Sequence, residues 1–129
     1  MAVVKTDEQW RSDLSPEEYE TLRHKQTEAP YSGKYVNFTE AGTYTCAACG
    51  NELFDSTTKF DAQCGWPSFY DAKPGAVAFH KDHSHFMNRT EVTCANCGGH
   101  LGHIFEGEGF ETPTDQRYCI NSLSLHFKK

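Results

Sequence analysis

Long apolar runs are missing from this sequence. No stretch approaches the roughly 20 residues of a membrane-spanning helix. The opening "MAVVKTDEQW" meets Asp7 and Glu8 before a secretory apolar segment can develop. Basic clusters are missing too. Twelve Lys and Arg against 18 Asp and Glu leave a net charge of −6, which argues against general nucleic-acid or anionic-membrane binding. No linker or low-complexity tract divides the 129 residues, and strands do not alternate with ten-residue helices, so a parallel doubly wound sheet is excluded. One domain spanning 1–129 is expected, monomeric and cytoplasmic, with no nucleic acid or membrane as partner.

Aromatic residues are plentiful, with nine Phe, six Tyr and two Trp beside an apolar content of only 37%. The core should therefore rest on rings. Thr6 with Gln9 and Ser15 with Glu18 have capping-box spacing, and Pro16 suits a first helical position, so two short helices form an arm over 6–26. Beyond "KQTEAPYSGKYV" come short β-branched and aromatic runs punctuated by Gly and Pro, such as "GAVAFH", "RTEVTC" and "YCINSLSLHF". A mainly antiparallel β core is expected over 35–129.

Six cysteines in a reducing compartment suggest metal or catalysis before a disulfide framework. "CAACGNEL" and "CANCGGHL" repeat the pattern C-x-x-C-G-x-x-L. Each reads as a metal knuckle, with two thiolates on a tight turn and a glycine free to take the left-handed conformation. Cys46, Cys49, Cys94 and Cys97 would hold one structural Zn²⁺. The 44 intervening residues mean that the ion would staple distant parts of one fold. A redox dithiol would need a βαβ context, which is absent. A ligand set of Cys94, Cys97, His100 and His103 would leave Cys46 and Cys49 unexplained.

Two cysteines remain. Cys64 lies in "FDAQCGWPSF", where Gly65 and Pro67 mark a turn around Trp66, a core lid or a pocket wall. Cys119 lies in "QRYCINS", which reads as part of a terminal strand. Strand alternation would put Arg117, Cys119 and Asn121 on one face, followed by Leu123, Leu125 and Phe127. A guanidinium beside a thiol favours the nucleophilic thiolate, whereas a lone cysteine with no such role is an inert core residue. In "GGHLGHIF", His100 and His103 leave the second knuckle on a Gly-rich turn and could supply a proton near neutral pH. "HKDHSHF", with His80, His83 and His85, reads as a solvated loop or, less simply, a second metal site.

Together, "APYSGKY", "CAACGNELF", "CGWPSF", "SHFMNRTEV", "CANCGGHLGHIF" and "RYCINS" resemble the methionine sulfoxide reductase B family, in the family's order and from about residue 8 to the end. The resemblance implies two antiparallel sheets in a sandwich or barrel-like core, a zinc on the four knuckle cysteines, and Cys119 as the catalytic thiol. It also implies Cys64 as the resolving cysteine and Trp66 and Phe105 as substrate-binding rings. His100, His103 and Asn121 would form the polar side of the pocket, with Arg117 holding the thiolate. The implied substrate is methionine-R-sulfoxide in peptides or proteins, and the implied reductant a thioredoxin-type dithiol protein. The chain departs from the common pattern in "HIFEGEGFETPTDQR", which is longer than usual and leaves Glu106, Glu108 and Asp115 as candidates for the loop's acid. Phe86 stands where a glycine is usual, and Phe86 and Phe110 could add aromatic surface. The rival classes are a zinc-stabilised binding module presenting Trp66, Phe69 and Tyr70, and an acyl-transfer enzyme using Cys119.

Overall fold

The computed structural model describes residues 5–83, 88–109 and 112–129. His85, Phe86 and Phe110 fall outside them. Both capping boxes form: α1 (Asp7–Asp13) starts on Thr6 and α2 (Pro16–His24) on Ser15, each with the reciprocal side-chain bond from the third helical residue. Helix α2 ends where Lys25 turns left-handed, at φ 59°. These helices bury Trp10, Tyr19, Thr21 and Leu22. Arg23 lies over the Trp10 ring at 4.6 Å and donates to the Cys97 carbonyl at 3.2 Å, tying the arm to the second knuckle.

Among the described residues nine strands follow: β1 (Thr43–Cys46), β2 (Glu52–Asp55), β3 (Lys59–Phe60), β4 (Ser68–Phe69), β5 (Val77–Asp82), β6 (Arg89–Cys94), β7 (His100–Glu106), β8 (Gln116–Ile120) and β9 (Leu125–Lys128). They build two wholly antiparallel sheets, β2-β1-β9 and β3-β4-β8-β7-β6-β5, in agreement with the fold read from the sequence. The sheets meet through rings. Phe54 stacks on Phe69 with centroids 4.3 Å apart, while Tyr44 meets Phe69 and Tyr118 meets Phe54 edge-on. Phe54, Phe69 and Tyr44 are fully buried, so this aromatic contact is the centre of the core.

Three local expectations are corrected. "YCINSLSLHF" is two strands of different sheets: β8 stops at Ile120, a 3₁₀ turn over Ser122–Ser124 intervenes, and β9 joins β1. Leu123, Leu125 and Phe127 therefore do not continue the Cys119 face. His80, Lys81 and Asp82 belong to β5 rather than to a loop, because each pairs across to β6. His100 and His103 lie on strand β7, not on a turn.

Candidate active site and metal centre

Each knuckle is built alike. Cys46 and Cys94 end β1 and β6, and their carbonyls accept from Gly50 and Gly98, each at 2.8 Å. Those glycines have φ values of 81° and 76°, which the turn requires and a side chain would resist. The four sulfurs lie within 4.8 Å of one another, with Cys46–Cys97 at 3.7 Å and Cys49–Cys94 at 3.6 Å. Zinc–sulfur bonds of about 2.3 Å in a tetrahedron set sulfurs roughly 3.8 Å apart, so the group fits such an ion. Asn96 Nδ2, at 3.4 Å from Cys49 Sγ, and the Gly99 N–H, at 3.4 Å from Cys97 Sγ, would stabilise thiolates there. An ion held there would cross-link the two sheets through β1 and β6. The alternative set using His100 and His103 is not assembled, since both rings bind carboxylates instead.

Register assembles the second group of residues. His80 pairs with Glu91, Glu91 with His103, His103 with Cys119, and Cys119 with Ser68. Directly opposed residues project from the same face, so one polar row crosses five strands. A parallel row holds Asp82 opposite Arg89 and Phe105 opposite Arg117. Residues three apart on a regular strand point to opposite faces. On β7, however, Gly102 opposes Val92 and His100 opposes the next residue, Thr93, which leaves Leu101 as the extra residue of a bulge. The bulge brings His100 to the His103 side, with ring centroids 5.5 Å apart.

A pocket of about 150 Å³ opens on this face, lined by Thr27, Cys64, Trp66, Arg89, Gly102, His103, Phe105, Arg117, Cys119 and Asn121. Gly102 is required at its base, since a Cβ there would collide with the Cys119 carbonyl. A larger depression of about 470 Å³ along Val36–Asp61 contains neither thiol nor imidazole. His100 does not line the pocket. It is buried, its Nδ1 lies 2.7 Å from Glu91, and its Nε2 has no hydrogen-bond partner among the described residues. Burial holds its pKa below the usual histidine value, against the pull of Glu91. His103 reaches the pocket with Nε2 2.7 Å from Asp82 Oδ2.

Cys64 and Cys119, 55 positions apart, meet at this pocket. The two thiols are close enough to perturb each other's ionisation. The Cys119 thiol draws Cys64 down to about 5, assisted by the Ser68 hydroxyl at 3.3 Å and by Arg117, against the effect of burial. Cys64, together with burial, pushes Cys119 up despite Arg117. The second thiol, the Ser68 hydroxyl and Arg117 thus together favour a thiolate at Cys64. Arg117 itself is shared: it forms a two-pronged ion pair with Glu108, at 2.8 and 3.2 Å, and lies over Phe105 at 4.5 Å. Of the three loop acids, Glu108 is therefore the partner of the arginine. Asp115 instead closes the loop, accepting from Gly109 N–H at 3.1 Å.

Asn121 spends its amide on structure. Its Oδ1 accepts from Glu28 N–H at 3.0 Å and its Nδ2 donates to Leu101 O at 3.1 Å. Trp66 is held by its indole N–H, which donates to the Glu28 carbonyl at 3.0 Å.

A match to the SelR domain family covers residues 14–129. The chain belongs to the methionine sulfoxide reductase B family. It is thus an oxidoreductase of methionine sulfoxide. Peptide methionine sulfoxide reductase B3 of Arabidopsis thaliana is 54% identical over 126 residues, which are 98% of this chain and 70% of that protein. Peptide methionine sulfoxide reductase MsrB of Leifsonia xyli is 54% identical over 98% of the chain and 91% of its own length. The namesake from Methanosarcina mazei is 56% identical over 98% and 90%.

The reductase contains residues near its pocket that the sequence did not single out. Asp82, Glu91, Arg89 and Thr27 are four of them, and Glu28 is the fifth. Asp82 lay in a segment taken for a loop. Strand alternation between "AFHKD" and "RTEV" was the available signal for Asp82, Arg89 and Glu91. Nothing local marks Thr27 or Glu28. Among the described residues no helix is long and apolar enough to cross a membrane.

Proposed function

We propose that the reductase acts on methionine-R-sulfoxide in peptides or proteins through a Cys119 sulfenic acid and a Cys64–Cys119 disulfide. The meeting of Cys64 and Cys119 in a pocket walled by Trp66 and Phe105 carries this reading. A sulfoxide sulfur is electrophilic, but its oxygen leaves only once protonated, so the site needs a thiolate and an acid. As Cys119 attacks, its proton passes to the neighbouring Cys64 thiolate, and the charge moves onto the sulfur beside Arg117. His103, held by Asp82 and directly opposite Cys119, protonates the oxygen. Methionine departs and Cys119 retains the oxygen as sulfenic acid. Cys64 then attacks that sulfur, water leaves, and the disulfide forms. A thioredoxin-type dithiol returns both thiols and is itself oxidised.

Trp66 would receive the substrate methyl while the oxygen faces His103. The S epimer would set oxygen against the apolar wall, at a cost of roughly 1–3 kcal/mol for an unpaired polar group. His100 and Asn121 support this arrangement from outside the reacting pair, His100 through Glu91 and Asn121 through the Glu28 backbone. The four knuckle thiolates suit zinc, which would supply structural cross-linking and no chemistry to the sulfoxide.

The lowered pKa of Cys64 favours a second reading, in which Cys64 attacks and Cys119 resolves. Turnover of the two peptide diastereomers decides between them. With dithiothreitol, Cys119→Ser should be inactive on the R epimer and Cys64→Ser active; with a thioredoxin-type protein both should fail. Activity retained by Cys119→Ser but lost by Cys64→Ser would reverse the roles. Turnover of neither diastereomer by the unaltered chain would sink the cycle.

A further inference from the structure

Tyr31 stands where its own turn does not want it. Ala29, Pro30, Tyr31 and Ser32 form a turn closed by the Ser32 N–H on the Ala29 carbonyl at 3.1 Å. Tyr31, at the third position, has a φ of 64°, a conformation that such turns usually assign to glycine. Burial does not repay it either, because 66% of the residue is exposed; among the described residues only Phe79, at 50%, is a comparable exposed apolar side chain. An aromatic ring that is both conformationally strained and solvated serves neither the turn nor the core.

Its surroundings indicate what it serves. The Tyr31 N–H donates to the Gly65 carbonyl at 2.7 Å and its hydroxyl to the Gln63 carbonyl at 3.3 Å, so the ring rides on the two neighbours of Cys64. Gly65 lies so close to the turn that a Cβ on it would come within 2.8 Å of Pro30. The ring is fixed beside the thiol yet is absent from the pocket lining.

We propose that Tyr31 is the docking contact for the dithiol protein that reduces the Cys64–Cys119 disulfide. This rests on the catalytic cycle given above. The partner's thiolate attacks Cys64, a sulfur–sulfur bond forms there, and the Cys64–Cys119 bond breaks with its electron pair leaving on Cys119 beside Arg117. The partner's second thiol then attacks the mixed disulfide, Cys64 leaves as thiol, and the partner departs oxidised. A protein bonded covalently to Cys64 must cover the adjacent 63–65 backbone and the ring anchored to it. A rigid tyrosine gives a large contact at small entropic cost. A small dithiol makes no such contact.

The test compares dithiothreitol with a thioredoxin-type protein as reductant for the unaltered chain, Tyr31→Gly and Tyr31→Phe. Glycine suits the turn conformation, so Tyr31→Gly should fold as well as the parent, with melting temperature as the check. Its turnover with dithiothreitol should stay within about twofold, while kcat/KM for the protein reductant should fall about tenfold, chiefly through KM; Tyr31→Phe should stay near the parent with both. An unchanged protein-supported rate in Tyr31→Gly, or an equal loss with both reductants, overturns the docking role. No turnover of the unaltered chain with either reductant overturns the cycle itself, and is distinguishable because it does not depend on Tyr31.

Discussion

The indole N–H of Trp66 donates to the backbone carbonyl of Glu28 at 3.0 Å, while the Glu28 N–H holds the Asn121 side chain and one carboxylate oxygen accepts from Leu123 N–H at 2.9 Å. One buried glutamate outside both sheets thus anchors two pocket residues. Glu28→Ala leaves the Leu123 N–H unpaired, which should cost about 1–3 kcal/mol of stability. KM for peptide methionine sulfoxide should rise about tenfold, because the Glu28 side chain fixes the backbone whose carbonyl holds Trp66, and alanine frees that segment. Glu28→Gln keeps an acceptor and should restore most of both. Denaturant unfolding and steady-state kinetics check the pair, and an unchanged KM in Glu28→Ala would contradict the anchoring role.

Asp82 binds the ring that faces the thiols. Asp82→Asn keeps the shape but removes the countercharge of a protonated His103. The expected result is a kcat on the R epimer lowered by about 10²-fold with little change in KM. A defect confined to KM would remove His103 from acid catalysis.

The charge shared by the two thiols has a pH signature. Cys64 is lowered from an ordinary thiol value to about 5, so its thiolate persists as pH falls through neutrality and is lost only near that value. Iodoacetamide should therefore alkylate Cys64 at a nearly constant rate from pH 8 to about 6. Removing the Cys119 thiol by Cys119→Ala takes away the largest influence lowering Cys64, and alkylation at pH 6 should slow. A Cys64 rate that climbs steeply between pH 7 and 9 in the unaltered chain would show that the thiolate is not held there.

The four-cysteine group links β1 to β6 and lies immediately before β7. Cys46→Ser or a strong chelator should lower the melting temperature and remove metal together, from about one zinc per chain. Because His100 begins β7 three residues after Cys97, loss of the metal should also cost activity. Metal analysis beside calorimetry is the measurement; full stability without metal would refute a structural ion.

Short-range chemistry was legible. Helix starts at Thr6 and Ser15, the paired knuckles with Gly50 and Gly98, and the common face of Arg117 and Cys119 each depend on residues within a few positions of one another. The ring-built core followed from composition. The turn assigned to His100 and the loop assigned to His80 were misread because strand register and one bulge, rather than glycine or histidine content, govern both segments.

By itself the sequence determined the local hydrogen-bond patterns, the knuckle spacing and the stock of reactive groups, since each depends on neighbours along the chain. Only the tertiary structure decided which groups meet. Register set His103 opposite Cys119, the bulge at Leu101 turned His100 to the same side, and the change of sheet after Ile120 took Leu123, Leu125 and Phe127 away from the thiol. Side-chain partnership across strands is a property of closure, in which residues tens of positions apart come within hydrogen-bond reach. That is why Thr27 and Glu28 had no local mark.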